Sequence, residues 1–168
     1  MQRTIVTDRL VLRPFSLADA DTVLQYLGDL GVSKWLSRVP HPFTRADLRL
    51  MNEDGSERWP DLAAITEDGQ IVGAVGSSDH LGYWLGRPFW ARGIAGEAVG
   101  AMVEHLFSVQ ARRRIQSCYF EGNVASARIL QKLGFRETGR DIQHCQARGE
   151  KIPNVHMALA KSDWEARQ

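Results

Sequence analysis

The most informative part of the sequence is Arg87-Pro88-Phe89-Trp90-Ala91-Arg92-Gly93-Ile94-Ala95-Gly96-Glu97-Ala98. It follows a strand-like apolar run, Leu81 to Leu85, and opens into an amphipathic helical pattern. Gly93 and Gly96 carry no side chain that would keep a ligand away from the backbone. The first turn of a helix also presents unpaired N–H groups at the positive end of its dipole. The stretch therefore predicts a phosphate-binding site between a strand and a helix.

Two common phosphate-binding motifs do not fit this loop. A nucleoside-triphosphate loop would end in Gly-Lys-Ser/Thr, and a dinucleotide fingerprint would need G-x-G-x-x-G, whereas Gly93, Gly96 and Gly100 are spaced more widely. The loop instead resembles the acyl-CoA pyrophosphate loop of the GCN5-related N-acetyltransferases, Q/R-x-x-G-x-G/A, over residues 90–95. Trp90 departs from the first position of that pattern. The departure is tolerable because the resemblance implies that backbone amides hold the diphosphate.

A second motif lies further along the chain, at Asn123-Val124-Ala125-Ser126 and Lys132-Leu133-Gly134-Phe135. Its pattern, N-x-x-S followed by K-x-G-F, resembles the segment of the same superfamily that lines the pantetheine arm of CoA. Residues 7–13 and 39–44 resemble the ribosomal-protein alanine N-acetyltransferase branch, so the resemblance covers nearly the whole chain. It implies a single α/β (α+β) domain over residues 1–168, with a mixed, mostly antiparallel twisted sheet. We expect about seven strands, splayed at the centre and flanked by helices.

Composition agrees with one domain and excludes several partners. The 168 residues, 43% hydrophobic and 24% charged, suit one globular unit. A net charge of +1 gives no global attraction to nucleic acid. Cys118 and Cys145 lack metal or redox spacing, which favours the cytoplasm and no metal. No apolar run approaches the ~20 residues of a membrane span, so we expect no membrane partner. Monomer and homodimer both remain open.

The hydrophobic pattern predicts alternating short strands and helices. Asp68-Gly69 between two apolar runs indicates an antiparallel hairpin. The expected strands cover residues 10–15, 62–66, 71–77, 81–85, 115–120, 135–142 and 155–159. The expected helices cover residues 16–27, 45–52, 94–109 and 123–133. A strand–helix–strand unit thus brackets the phosphate loop.

Acetyl transfer to an amine needs a neutral amine, a polarised thioester carbonyl and a proton for the departing thiolate. The resemblance assigns the proton to Ser126, although a helix N-terminal serine beside a capping Asn123 would look the same. His80 is the candidate base, since it precedes the strand at residues 81–85 and an imidazole, with an unperturbed pKa near ~6.5, can accept a proton at neutral pH. The alternative is a surface histidine, with the role falling to His41, His144 or His156.

The resemblance also supplies a set of acetyl-CoA-binding residues. It places a carbonyl-polarising backbone N–H near Trp84 or Leu85. It assigns acetyl-CoA binding to Arg87, Arg92, Gly93, Ile94, Ala95, Gly96, Asn123 and Ser126. Arg128 and Lys132 lie one helical turn apart, either reaching the CoA phosphates or forming an exposed basic face. Trp35, Trp59 and Trp84 either line an acceptor pocket or pack in the core.

The resemblance implies an acetyl-CoA-dependent N-acetyltransferase in which an amine attacks the thioester directly within a ternary complex. A peptide α-amine with a pKa near ~8 is about a tenth neutral at pH 7, whereas a lysine amine near ~10.4 needs a dedicated base. The absence of an unmistakable base in the sequence favours a protein N-terminal α-amine, such as that of a ribosomal protein. Two alternatives remain: an enzyme for polyamines, aminoglycosides or amino acids, and a non-catalytic acyl-CoA-binding regulatory module.

Overall fold

The computed structural model describes residues 4–48 and 62–167, which fold around one eight-stranded mixed sheet. The strands are β1 (Ile5–Val6), β2 (Leu10–Arg13), β3 (Ala63–Glu67), β4 (Gln70–Ser77), β5 (Leu81–Leu85), β6 (Arg114–Phe120), β7 (Arg136–Cys145) and β8 (Glu150–Ala160). The helices are α1 (Ala20–Leu27), α2 (Leu30–Ser33), α3 (Ile94–Ser108), α4 (Val124–Lys132) and α5 (Lys161–Glu165). Two 3-10 turns, Leu17–Asp19 and Arg87–Phe89, precede α1 and α3.

The strands follow the spatial order β1-β2-β3-β4-β5-β6-β8-β7, and every neighbouring pair is antiparallel except β5 and β6. Among the described residues, that parallel pair has a single register contact, Leu81 with Ser117. The Ser117 hydroxyl donates to the Leu81 carbonyl oxygen at 2.8 Å, in the buried interior. Beyond this point β5 and β6 diverge, which confirms the predicted splay at the centre of the sheet.

The sheet separates two apolar clusters. The main core lies on the α3 and α4 side and includes the buried stripe Ala98, Val99, Met102, Val103 and Leu106 predicted for α3. A second cluster, with Val23 and Leu27 of α1 and Val32 of α2, covers the opposite face beside β3 and β4. Alternate strand residues point to opposite faces, and β3, β4 and β5 contribute to both clusters.

The seven predicted strands are present, and the eighth is the two-residue β1. Asp68 and Gly69 have φ angles of 50° and 79°, the left-handed values that a tight β3–β4 hairpin requires. Strands β7 and β8 extend beyond the predicted 135–142 and 155–159, while α5 was not predicted. Residues 45–48 are helical, and the rest of the predicted 45–52 helix lies outside the described residues.

Candidate active site

Two hydrogen bonds hold the loop after β5 against β4 and β5. The Gly86 N–H donates to the Val72 carbonyl oxygen of β4 at 2.9 Å. N–H groups of successive residues in a strand point to opposite edges, so the Leu85 N–H is directed away from β4 and toward the cleft beside β6. The Trp90 indole N–H donates to the Leu85 carbonyl oxygen at 2.9 Å. Trp90 therefore anchors the loop, in a role that its sequence position did not predict.

Helix α3 begins at this loop with an exposed N-terminus. Gly93 is its N-cap, adopts a φ of 79° and provides no side-chain hydrogen bond to the first turn. A Cβ added at Gly96 would meet no atom within 4 Å, so the space above the first turn is open. A 15-residue helix with an open, uncapped start suits a phosphate group, which its N–H groups and dipole attract. The geometry thus fits the diphosphate of CoA.

Three arginines surround the loop, each engaged with a carboxylate. Arg92 pairs with Glu67 at 2.8 Å and Arg87 pairs with Asp29 at 3.1 Å. The third, Arg9, pairs with Glu97 of α3 at 2.7 Å and donates to the Arg92 carbonyl oxygen at 3.1 Å. Arg9 is not among the predicted binding residues, because it lies 83 positions from Arg92 in the chain. These pairs orient the arginines and partly neutralise the positive charge beside the phosphate site.

The second motif meets β5 at a pair of hydroxyl groups. Asn123 caps α4, because its side-chain oxygen accepts a hydrogen bond from the Ser126 N–H at 3.2 Å. The Ser126 Oγ lies 2.8 Å from the hydroxyl oxygen of Tyr83. Burial raises the pKa of Tyr83 to about 12, while the hydrogen bond with Ser126 acts in the opposite direction. Tyr83 keeps its proton at neutral pH. Arg128 and Lys132 are exposed on α4.

A cluster of polar side chains lies on the opposite face of the sheet. His80 precedes β5, and its ring centroid is 6.2 Å from that of His156 on β8. The His156 Nε2 is 3.1 Å from Asp141 Oδ1, and the Asn154 amide donates to the same oxygen at 3.1 Å. This hydrogen bond from Asn154, followed by the contact with His156, lowers the pKa of Asp141. The predicted base thus has a second histidine beside it, and that histidine contacts a carboxylate.

The predicted aromatic residues divide between core and surface. Trp84 packs against the α1 cluster, with its ring 6.5 Å from that of Tyr26 in an edge-to-face contact. Trp35 packs against Phe120 in a third small cluster and borders a surface depression. That depression is lined by Leu30, Lys34, Trp35, Ala147, Arg148 and Glu150. Trp59 lies outside the described residues. Trp84 thus packs against the α1 cluster, whereas Trp35 borders an open depression.

The described residues contain neither a metal-binding cluster nor a membrane-crossing helix. Within residues 4–48 and 62–167, no group of three or more His, Cys, Asp or Glu side chains is arranged to hold a metal ion. None of the helices in the same ranges combines the length and apolar character of a membrane-crossing segment.

Comparison with known proteins identifies the family. The family model described as Acetyltransferase (GNAT) domain matches residues 9–136. The chain belongs to the GNAT family and is an N-acetyltransferase. Acetyltransferases of this family use acetyl-CoA. The superfamily predicted from the two motifs is confirmed.

Relatives and solved structures agree with this assignment. Uncharacterized N-acetyltransferase p20 of Bacillus licheniformis is 28% identical, covering 96% of this chain and 98% of its own length. The ribosomal protein uS5-alanine N-acetyltransferase of Escherichia coli is 29% identical, and the alignment covers 95% of this chain and 92% of that protein. Among solved structures, Mycobacterium smegmatis RimJ in complex with CoA-disulfide has a TM-score of 0.78 at 21% identity, covering 96% of this chain and 88% of its own. At that identity the structural match shows the fold alone.

Proposed function

We propose that this enzyme transfers the acetyl group of acetyl-CoA to the α-amine at a protein N-terminus, by direct attack in a ternary complex. The observation that carries the proposal is that the two motifs lie on either side of the cleft beside β5. The open start of α3 suits the CoA diphosphate, and the Ser126 hydroxyl lies beside β5, which ends at the same loop. The arrangement leaves a path between them for the pantetheine arm, along the edge of β5 that the splay exposes.

Each step of the reaction has a candidate group on this path. The Leu85 N–H, directed into the cleft, polarises the thioester carbonyl. The first-turn N–H groups from Ile94 to Gly96 hold the diphosphate, with Arg128 and Lys132 of α4 as further cations. Ser126 Oγ gives a proton to the departing sulfur. In this proposal Arg87 and Arg92 shape the loop through their ion pairs and add positive charge near the phosphates.

The acceptor preference is supported by two independent arguments. An α-amine near pKa ~8 is partly neutral at physiological pH and makes a smaller demand on the base than a lysine amine does. The Escherichia coli relative at 29% identity bears the name of an enzyme for the alanine N-terminus of a ribosomal protein.

The test is acetyl-CoA-dependent thiol release across a panel of acceptors, with mass spectrometry of each product. The panel holds peptides with N-terminal Ala or Ser, the same peptides with a blocked α-amine and an internal lysine, polyamines, aminoglycosides and free amino acids. We expect turnover of the free-α-amine peptides and none of the blocked peptides. Turnover confined to a small amine would replace the protein acceptor. CoA binding without turnover of any acceptor in the panel would exclude these peptides and place the acceptor in another class of amine.

The base is tested separately by histidine variants. His80→Gln should lower kcat/KM for an N-terminal peptide about tenfold near pH 7, and should remove the acidic limb of the pH profile. His156→Gln, which removes the neighbour of His80 and the partner of Asp141, tests the alternative base in the same assay. His144→Gln, on the exposed side of β7, serves as the control and should retain the wild-type profile. Loss of the acidic limb in His156→Gln alone would move the role from His80 to His156.

A further inference from the structure

Tyr83 lies where the two central strands part. It is two residues beyond Leu81, the β5 residue that pairs with Ser117 at the apex of the splay. Its ring is partly buried against the main core, on the same side of the sheet as α3 and α4. The hydroxyl is directed toward the first turn of α4. Neither sequence motif includes Tyr83, and no role follows from its position in the chain.

The direction of the hydrogen bond between the Tyr83 and Ser126 hydroxyl groups follows from their acidities. Their hydroxyl oxygens are 2.8 Å apart, and either one has the geometry to donate. The Ser126 carbonyl oxygen, 3.4 Å from the phenol oxygen, is a more distant second acceptor for Tyr83. A phenol is a stronger acid than an aliphatic alcohol, so it is the better donor and the serine oxygen the better acceptor. The Ser126 backbone is held in place because its N–H is bonded to Asn123. With the phenol as donor, the Ser126 proton remains available for a third atom.

We propose that Tyr83 is a positioning residue for Ser126: its O–H donates to Ser126 Oγ and directs the serine proton into the cleft, toward the departing sulfur. The inference rests on the proposed function. In the step, the amine nitrogen forms the new C–N bond, and the electron pair of the broken C–S bond stays on sulfur. Ser126 gives its proton to that sulfur. The proton that the amine loses returns to Ser126 through the base and solvent, so the transfer consumes no net proton.

Two features of the site support this assignment. Burial raises the pKa of Tyr83 to about 12, so the phenol holds its proton and remains a donor throughout the neutral range. A hydrogen bond received by Ser126 Oγ also strengthens the bond that the same hydroxyl donates, because linked hydrogen bonds polarise one another. The negative charge that develops on Oγ during proton transfer is stabilised by the same donor.

The test measures the thiol pKa of bound CoA, by thiolate absorbance, without any acceptor present. A hydrogen bond to the thiolate lowers this pKa. We expect the wild type to lower it relative to free CoA, so that thiolate binds about tenfold more tightly than thiol. Tyr83→Phe should lose part of this preference and Ser126→Ala nearly all of it. In the Ser126→Ala background, Tyr83→Phe should have no further effect, whereas a merely structural role would add the same change in both backgrounds.

Further variants distinguish the role of Tyr83 from the general effect of losing a tyrosine hydroxyl near the core. Tyr119→Phe, which removes a hydroxyl from β6 beside the same core, should leave the bound thiol pKa unchanged. If Tyr83→Phe does not fold, replacement of the tyrosines by the more acidic 3-fluorotyrosine should lower the bound thiol pKa, and Ser126→Ala should abolish that response. If Tyr83→Phe has the wild-type thiol pKa while Ser126→Ala still raises it, the role of Tyr83 alone is overturned. Equal thiol pKa values in all four proteins would overturn the role of Ser126 as well. A wild type that does not bind CoA would overturn the proposed function and this role together.

Discussion

At the scale of single residues, the Asp19 carboxylate joins the second strand to the first helix. Arg13 donates to its two oxygens at 2.7 and 2.8 Å, and the Ser16 N–H donates at 2.7 Å. The hydrogen bond from Arg13 is the main reason that the pKa of Asp19 is lowered. The side chain is only 7% exposed, so solvent screens the interaction little.

Replacing Asp19 tests this contact through its pH dependence. A carboxyl with a lowered folded pKa stabilises the protein above its unfolded pKa of ~3.9, and this stability is lost as the pH falls through the folded pKa. We therefore expect Asp19→Asn to be about 2 kcal/mol less stable than the wild type at pH 7. The difference should shrink below pH ~4, measured by urea denaturation. Asp21→Asn, at a residue 79% exposed, should change stability by less than ~0.5 kcal/mol. A constant difference across pH would contradict the argument.

At the scale of elements, a larger side chain at Gly96 should cover the N–H groups at the start of α3 without disturbing the fold. A Cβ added at Gly96 would meet no atom within 4 Å, and the position is helical. Gly96→Leu should therefore raise the free energy of unfolding slightly, by up to ~0.8 kcal/mol, because leucine favours a helix over glycine. The same side chain would cover the first-turn N–H groups, so CoA affinity should fall at least about tenfold.

Gly100→Ala is the control for this variant. Its Cβ would lie one turn further along α3, 3.6 Å from Leu133 Cδ2, an ordinary contact. We expect a similar small gain in stability with CoA affinity unchanged, measured by thermal denaturation and calorimetric titration. If Gly96→Leu binds CoA as tightly as the wild type does, the diphosphate does not lie at the start of α3.

The elements also show what the sequence could and could not predict. Helix α3 was predicted nearly to the residue, because its apolar stripe faces one buried core. The ends of β7 and β8 were missed, since most side chains of β7 are exposed and its pattern has no apolar alternation. Asn123 was correctly predicted to cap α4, because a cap depends on residues three positions apart.

At the scale of the whole molecule, the splay divides the site between the two faces of the sheet. One face has Tyr83 with Ser126, and the other has His80 with His156. The motifs predicted a phosphate loop and a serine, because these depend on local spacing. The Tyr83–Ser126 contact joins residues 43 positions apart, and Arg9 reaches the loop across 83 positions. Such contacts depend on strand order and register, which one sequence does not specify.

The contact between Leu81 and Ser117, where β5 and β6 begin to part, can be tested at this scale by mutation. Ser117 is 1% exposed, and its hydroxyl bond to the Leu81 carbonyl oxygen fixes the point where β5 and β6 part. Ser117→Ala should cost about 1 kcal/mol of stability and weaken CoA binding by roughly threefold or more, because the edge of the cleft is no longer held in register. Thr66→Val removes a comparable bond, from a hydroxyl to the Val11 carbonyl oxygen at 2.9 Å, between β2 and β3. It should cost a similar amount of stability, measured by urea denaturation, yet leave CoA affinity unchanged. Equal losses of affinity in the two variants would show that CoA binding follows global stability and does not depend on the apex.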